Sequence, residues 1–292
     1  MKGVKFFHLR GVSIFDQLCF EELLLRTTTD NVVVINHKIP SSSIVLGFSG
    51  KPHELLHLDA VKRDSVEVIR RFTGGGTVVV DPSTVFVSFI FNSSDTGCNP
   101  YPREIMQWTA DKVYGPLFQG LCTADAAGAA GTVGTGSSEF GLRENDYVWG
   151  DKKIGGNAQT ITKGRWVHHT SFLWHFDPAM MGYLQLPSKR PAYRNDRPHT
   201  DFLAQVSAVL PPSRSSPEHF CAQLHRQLGC VFPEVQLAMD AMGAGSGDSG
   251  QLVGPGAAMT PAMFSAVHAA SKLASPDFKP RTYFMDGVKL FE

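Results

Sequence analysis

Residues 13–27, SIFDQLCFEELLLRT, carry apolar side chains at helical spacing. Ile14, Leu18 and Leu25 fall on one stripe, and Ser13 stands where an N-cap belongs. The period then shortens. NVVVINH (31–37) and SIVLGFS (43–49) read as short strands, the second punctuated by Gly50 and Pro52. VEVIRR (66–71) is a strand that runs into three glycines, and TVVVD (77–81) resumes as a strand. A Pro82–Ser83 turn leads to TVFVSFIF (84–91), apolar on both faces and therefore central in a covered sheet. REIMQWTADKVYGPLF (103–118) returns to helical spacing and is expected to end near Gly115–Pro116. From 145 to 174, short strand runs alternate with Gly-Asp and Lys-Gly turns, which predicts hairpins.

Between these regions, residues 123–141 are low in complexity and read as a mobile inserted loop. After Pro211–Pro212 come a helix, EHFCAQLHRQLG, a Gly/Ala/Met/Ser stretch (238–260) and a last small helix near 261–271. The pattern predicts an α/β (α+β) domain over 1–210 with a large mixed or antiparallel sheet flanked by helices. Residues 211–292 form a helical, low-complexity extension.

Composition narrows the function. The 292 residues hold 27 Lys+Arg against 27 Asp+Glu, so there is no basic excess to mark nucleic acid as the main partner. Hydrophobic content of 42% supports a sizeable core. Five scattered cysteines without C-x-x-C speak against a disulfide framework or thiolate zinc site and for a reducing compartment. No apolar run approaches the roughly 20 residues that span a bilayer. The first residues, MKGVKFFHLRGVSIFDQL, are too broken by Asp16 and the following Glu21 and Glu22 for a signal peptide. The expected location is cytoplasmic or mitochondrial.

Two stretches carry candidate chemistry. In IRRFTGGGTVVVD (69–81) consecutive glycines expose backbone N–H groups and let a ligand approach closely, while Arg71 offers a fixed fork of donors. A plain glycine-rich hairpin gives the same letters. In GDKKIGGNAQ (150–159), strand alternation sends Lys153 and Ile154 to opposite faces. With Ile154 in the core, Lys153 faces a ligand, or is a solvated lysine in a hairpin.

Taken together, RRFTGGGTV (70–78), ND (145–146), KIGGNA (153–158) and HH (168–169) resemble, in order, the motifs of the lipoate–protein ligase family. FDQLCFEELLLR (15–26) is similar to that family's first helix with its Glu-Glu pair, and the resemblance spans about residues 6–205. It implies a class II synthetase-like biotin/lipoate ligase fold. It also implies an activity: condensation of lipoate or octanoate with ATP, with Mg2+, to acyl-AMP and pyrophosphate, then transfer to a lysine of an acceptor domain. By the same resemblance Lys153 touches the carbonyl and phosphate oxygens, and Arg71 lies near the phosphate. Thr73, Gly74, Gly75 and Gly76 close on the acyl-AMP. Asn145, Asp146, Gly155, Gly156, Asn157, Ala158 and His169 line the same site. The implied acceptors are lipoyl domains of 2-oxoacid dehydrogenase complexes or the glycine cleavage H protein.

The chain departs from the family pattern where Val80 replaces a histidine before Asp81. Its last 82 residues (211–292) are shorter and more Gly/Ala-rich than a full accessory domain. This points to an accessory activation subunit, or to an acyltransferase that takes preformed lipoyl-AMP or carrier-bound acyl groups. A non-catalytic binder of acyl-adenylates or acceptor domains is the third alternative. Aromatics such as Trp149, Trp166 and Phe172 are candidates for an acyl tunnel. HELLH (53–57) matches H-E-x-x-H, but it lies in a helix's first turns and lacks an obvious third ligand, so no metal site is assigned. Of His168 and His169, at most one faces the site, because adjacent strand residues point opposite ways. No cysteine lies between Cys122 and Cys221 to form a thioester near the lysine motif.

Overall fold

Strand β1 (Val4–Arg10) pairs in parallel with β2 (Asn31–His37), and α1 (Ile14–Thr27) makes the crossover that parallel strands require. Ser13 caps α1 by accepting a hydrogen bond from the Asp16 N–H at 3.1 Å. The computed structural model describes residues 2–123, 139–186, 190–242 and 280–285.

Strands β3 (Ser43–Leu46), β4 (Glu67–Arg70) and β5 (Val78–Val80) belong to a small second sheet. Strand β6 (Val85–Asn92) returns to the large one. There it is followed by β7 (Phe140–Arg143), β8 (Asp146–Trp149), β9 (Lys152–Thr162), β10 (Arg165–Phe172) and β11 (Val235–Met242). The last strand, β12 (Tyr283–Phe284), joins the small sheet. The large sheet has the order β11-β1-β2-β6-β10-β9-β8-β7, and the small sheet the order β12-β4-β3-β5. In the large sheet, β11, β1 and β2 run parallel and the other pairs are antiparallel, so this is the mixed sheet the pattern predicts.

One face of the large sheet is covered by the helices Pro102–Thr109, Gly115–Thr123 and Pro217–Val231, and it holds the main apolar core. The other face receives α1 and the small sheet, with smaller apolar clusters between them. The stretch beyond 211 contributes to the large sheet. Phe220, Leu224 and Leu228 enter its main core, and β11 pairs with β1 along its length.

The helix expected to end near Gly115–Pro116 continues to Thr123. It passes proline through a π turn, Ala110–Tyr114. Pro116 has no N–H to give the Lys112 carbonyl, which normally makes an interior proline costly. The Gln227 side chain donates to that carbonyl instead, at 2.9 Å. Residues 124–138, most of the expected mobile loop, lie outside the described residues. So do 243–279, with most of the Gly/Ala/Met/Ser stretch and the expected last helix. Among the described residues no helix is long and apolar enough to cross a membrane.

Candidate active site

The two arginines before the glycines leave the end of β4 in different directions and pin two loops. Arg70 donates to the carbonyls of Gly47, Phe48 and Gly50 at 3.2, 2.9 and 2.7 Å. Arg71, only 2% exposed, donates to the carbonyls of Val45, Gly74 and Gly76 and to Thr73 Oγ1, at 3.2, 2.9, 2.6 and 2.9 Å. Burial pulls its pKa down to about 10, so it is still a cation at neutral pH. The backbone is tight here. Gly75 has φ +99°, and a Cβ on Gly47 would lie 2.2 Å from the Gly75 carbonyl oxygen. A Cβ on Gly76 would meet nothing within 4 Å. The loop is therefore clamped on one side and open to a cavity on the other.

That cavity has a volume of about 610 Å³ and lies on the α1 and small-sheet side of the large sheet. Its polar end is built by β8 and β9. The register between them slips after Tyr147, so Ile154 and Gly155 both turn to the main core. A Cβ on Gly155 would sit 3.2 Å from the Phe172 ring. Lys153 and Gly156 consequently share the cavity face. The Lys153 ammonium meets Asp146 Oδ1 at 2.7 Å, and the Tyr193 hydroxyl donates to Asp146 Oδ2 at 3.0 Å. Burial, with the Asp146 charge beside it, raises the Tyr193 phenol pKa. Arg194 lines the same end, 4% exposed, and its Nη2 has no hydrogen-bond partner among the described residues. Burial and the cations Arg194 and Lys153 push the His199 pKa down to about 4. One carboxylate, two cationic side chains and a neutral imidazole thus face one space, an arrangement suited to an anion.

The remaining wall is apolar, with Val45, Val79, Phe86, Leu173, Met181 and Phe202. His169 lies between the two regions. Thr73 Oγ1 is 2.9 Å from its Nε2, and Glu21 Oε2 is 3.0 Å from its Nδ1.

Of the residues singled out by sequence, the fold brings Lys153, Arg71, Gly74, Gly75, Gly76, Asn145, Asp146, Gly156, Asn157, Ala158 and His169 to the cavity wall. Two are elsewhere. Gly155 is turned to the core by the bulge, and Thr73 is buried behind the loop against His169. Trp166 and Phe172 belong to the main core and Trp149 packs against it, so none of the three lines the cavity. The reason is strand alternation: on β10 the residues 169 and 171 face the cavity, followed by Leu173 just past the strand, and 166 and 172 face away. His168 also faces away, bonded to Tyr147 and Gln159. Val80 packs among Ile14, Leu18, Ile69 and Phe86. The H-E-x-x-H match is split, with His53 in the helix Pro52–Leu55 and His57 as the N-cap of the helix Leu58–Arg63.

Sequence reasoning missed Tyr193 and Arg194 and gave Glu21 no role. The tract YRND (193–196) holds an aromatic and an arginine together but has no periodicity or spacing that marks a site.

Comparison with known proteins bears on this arrangement. The family model described as Lipoyl protein ligase A/B catalytic domain matches residues 13–228. A curated relative from Plasmodium falciparum (isolate 3D7), inactive lipoate–protein ligase 2, is 28% identical over 254 residues, covering 74% of this chain and 66% of that protein. Across the curated relatives it matches, the chain spans between 43% and 66% of their length. Among solved structures, a bipartite lipoate protein ligase from Thermoplasma acidophilum, described with its E2 lipoyl domain, has a TM-score of 0.63 at 18% identity over 95% of each chain. Lipoate-protein ligase A bound with ATP has a TM-score of 0.59 at 18% identity, over 95% of this chain and 98% of that one. At such identity these two structures establish a shared fold.

Proposed function

The chain belongs to the Lipoyl protein ligase A/B catalytic domain family, and on that premise we propose that it is a lipoate–protein ligase that joins lipoate or octanoate to a lysine of a lipoyl acceptor domain. The observation that carries this reading is the cavity itself. It has a cationic end at Lys153 and Arg194, an apolar wall, and the glycine loop beside both. An acyl-adenylate has the same division: an anionic phosphate joined to an apolar chain.

In the first step a carboxylate oxygen of the acid attacks the α-phosphorus of ATP, and pyrophosphate leaves. Lys153, released from Asp146, stabilises charge on the carbonyl and phosphate oxygens. In the second step the acceptor lysine amine attacks the acyl carbon, and AMP leaves with the bonding pair. The open side of the loop at Gly76 lets the acyl-AMP lie against backbone N–H groups. Asp146, released from Lys153, is the carboxylate that would hold Mg2+, an ion bound through one or two carboxylates. When bound, the ion neutralises phosphate charge.

The acceptors on this reading are lipoyl domains such as the E2 domain described with the archaeal bipartite ligase. An accessory subunit is proposed on the same analogy. A second reading has one specific support, the name "inactive" borne by the Plasmodium relative. On it, the chain transfers preformed lipoyl-AMP or only binds it.

Intact mass of a lipoyl domain separates these readings. The protein is incubated with lipoate and Mg-ATP in one tube and with lipoyl-AMP in another. A lipoyl mass increase in both, lost in Lys153→Ala, supports the ligase. An increase with lipoyl-AMP alone supports transfer without activation. No increase in either tube overturns both catalytic readings.

A further inference from the structure

Behind the cavity wall, one buried line of hydrogen bonds joins the Arg71 guanidinium to a carboxylate on α1. Arg71 Nε lies 2.9 Å from Thr73 Oγ1, Thr73 Oγ1 lies 2.9 Å from His169 Nε2, and His169 Nδ1 lies 3.0 Å from Glu21 Oε2. All four side chains are buried, and Glu21 is wholly so. The ends of the line set its direction. A guanidinium only donates and an ionised carboxylate only accepts. Arg71 therefore donates to Thr73, the Thr73 hydroxyl donates to His169 Nε2, and His169 donates from Nδ1 to Glu21. The reverse polarity, with the proton on Glu21 and His169 donating from Nε2, leaves the buried Thr73 hydroxyl hydrogen without an acceptor, which is costly.

Glu21 is itself held from three sides. Its Oε1 accepts from Gln17 Nε2 at 2.7 Å and from the Ser88 hydroxyl at 2.5 Å. Gln17 cannot turn its amide freely, because its Oε1 accepts from Asn36 at 3.0 Å. Ser88 stands opposite His169 in the β6–β10 register, so its hydroxyl and the imidazole reach Glu21 from one face of the sheet. At the far end of the line, Arg71 grips the carbonyls of Gly74 and Gly76.

We propose that Glu21 is a positioning residue for the glycine loop: by fixing the Nδ1–H tautomer of neutral His169 it orients Thr73 and Arg71, and through them the carbonyls of Gly74 and Gly76. Glu21 does not line the cavity and acts through the residues that do. The alternative is a polar network that only stabilises the core. Glu21→Gln separates the two. The new amide cannot present N–H groups to the Gln17 donor, so it presents them to His169 Nδ1. The imidazole proton then moves to Nε2, and Thr73 faces two donors.

The experiment is 15N imidazole spectroscopy of the full chain, with His169 assigned by its loss in His169→Asn, alongside hydrogen exchange of the loop amides. Wild type is expected to show a neutral His169 protonated on Nδ1, and Glu21→Gln one protonated on Nε2. Exchange at 73–76 is expected to rise about tenfold in Glu21→Gln, the effect of one lost buried hydrogen bond. Ser88→Ala, which removes another bond to the same carboxylate, is expected to leave tautomer and loop unchanged. A wild-type His169 protonated on Nε2 overturns the proposal without any variant. So does a Glu21→Gln protein whose 73–76 amides exchange no faster than those of wild type. Neither readout requires turnover, so the outcome is independent of the ligase reading.

Discussion

His168 and His169 are neighbours on β10, both buried, and they face opposite sides of the same sheet. His168 lies among the aromatics of the main core. Its Nδ1 accepts from Gln159 at 3.0 Å and its Nε2 donates to the Tyr147 hydroxyl at 3.1 Å. His169 has the opposite tautomer, because its Nδ1–H donates to Glu21 and its Nε2 accepts from the Thr73 hydroxyl. One imidazole is satisfied by partners on the main-core face. The other belongs to a network that shapes a cavity. The comparison teaches that a buried polar residue is no guide to function by itself, and that its partners on each face decide what it does.

The largest test of this division is made on the core face. Trp166 is wholly buried between Phe91 and Trp108. Trp166→Ala is expected to lose about 3–5 kcal/mol of stability by urea denaturation. The protein that remains folded should still bind acyl-adenylate. On the cavity face, Lys153→Ala is expected to lower the transfer rate about 10²–10³-fold, while its unfolding midpoint moves far less than that of Trp166→Ala. Equal stability losses in the two variants would erase the distinction between the faces.

A smaller effect touches both faces together. Burial pulls the pKa of His168 down to about 3 and lowers that of His169, where Glu21 opposes the shift. Below the ordinary histidine pKa of about 6.5 the unfolded chain takes up protons that the folded chain refuses. Stability is therefore present above that pH and is lost as pH falls, by about 1.4 kcal/mol per unit for each such histidine. For His168 the loss continues down to about pH 3. Urea unfolding at pH 7 and pH 5 measures the slope, and His168→Gln should reduce it by one proton's worth. The smallest effect is expected at Tyr193→Phe. It removes one hydrogen bond to Asp146 and should weaken adenylate binding by about 1 kcal/mol by calorimetry, with the fold unchanged.

Periodicity reveals elements within one window of chain. It placed α1, the buried strand β6 and the hairpins of β8, β9 and β10, because burying one stripe or one face leaves its mark every few residues. The ordered motifs located the glycine loop and Lys153. Assigning Ile154 to the core and Lys153 to the cavity needed only alternation, and the structure has that arrangement.

What the local pattern lacks is any record of partners far along the chain. Alternation cannot announce the bulge that turns Gly155 to the core with Ile154. A proline reads as a stop until Gln227, 115 residues away in sequence, takes up the freed carbonyl of Lys112. Glu21 and His169 are 148 residues apart, and Tyr193 reaches Asp146 from 47 residues beyond it. The sequence by itself determined the elements, their buried faces and the residue types able to bind an anion beside an apolar chain. Tertiary structure decided which face each motif residue joins, which cations are clamped and which are open, and which carboxylate fixes the tautomer of His169. Desolvation and hydrogen-bond satisfaction are properties of a packed volume, and no stretch of chain carries them alone.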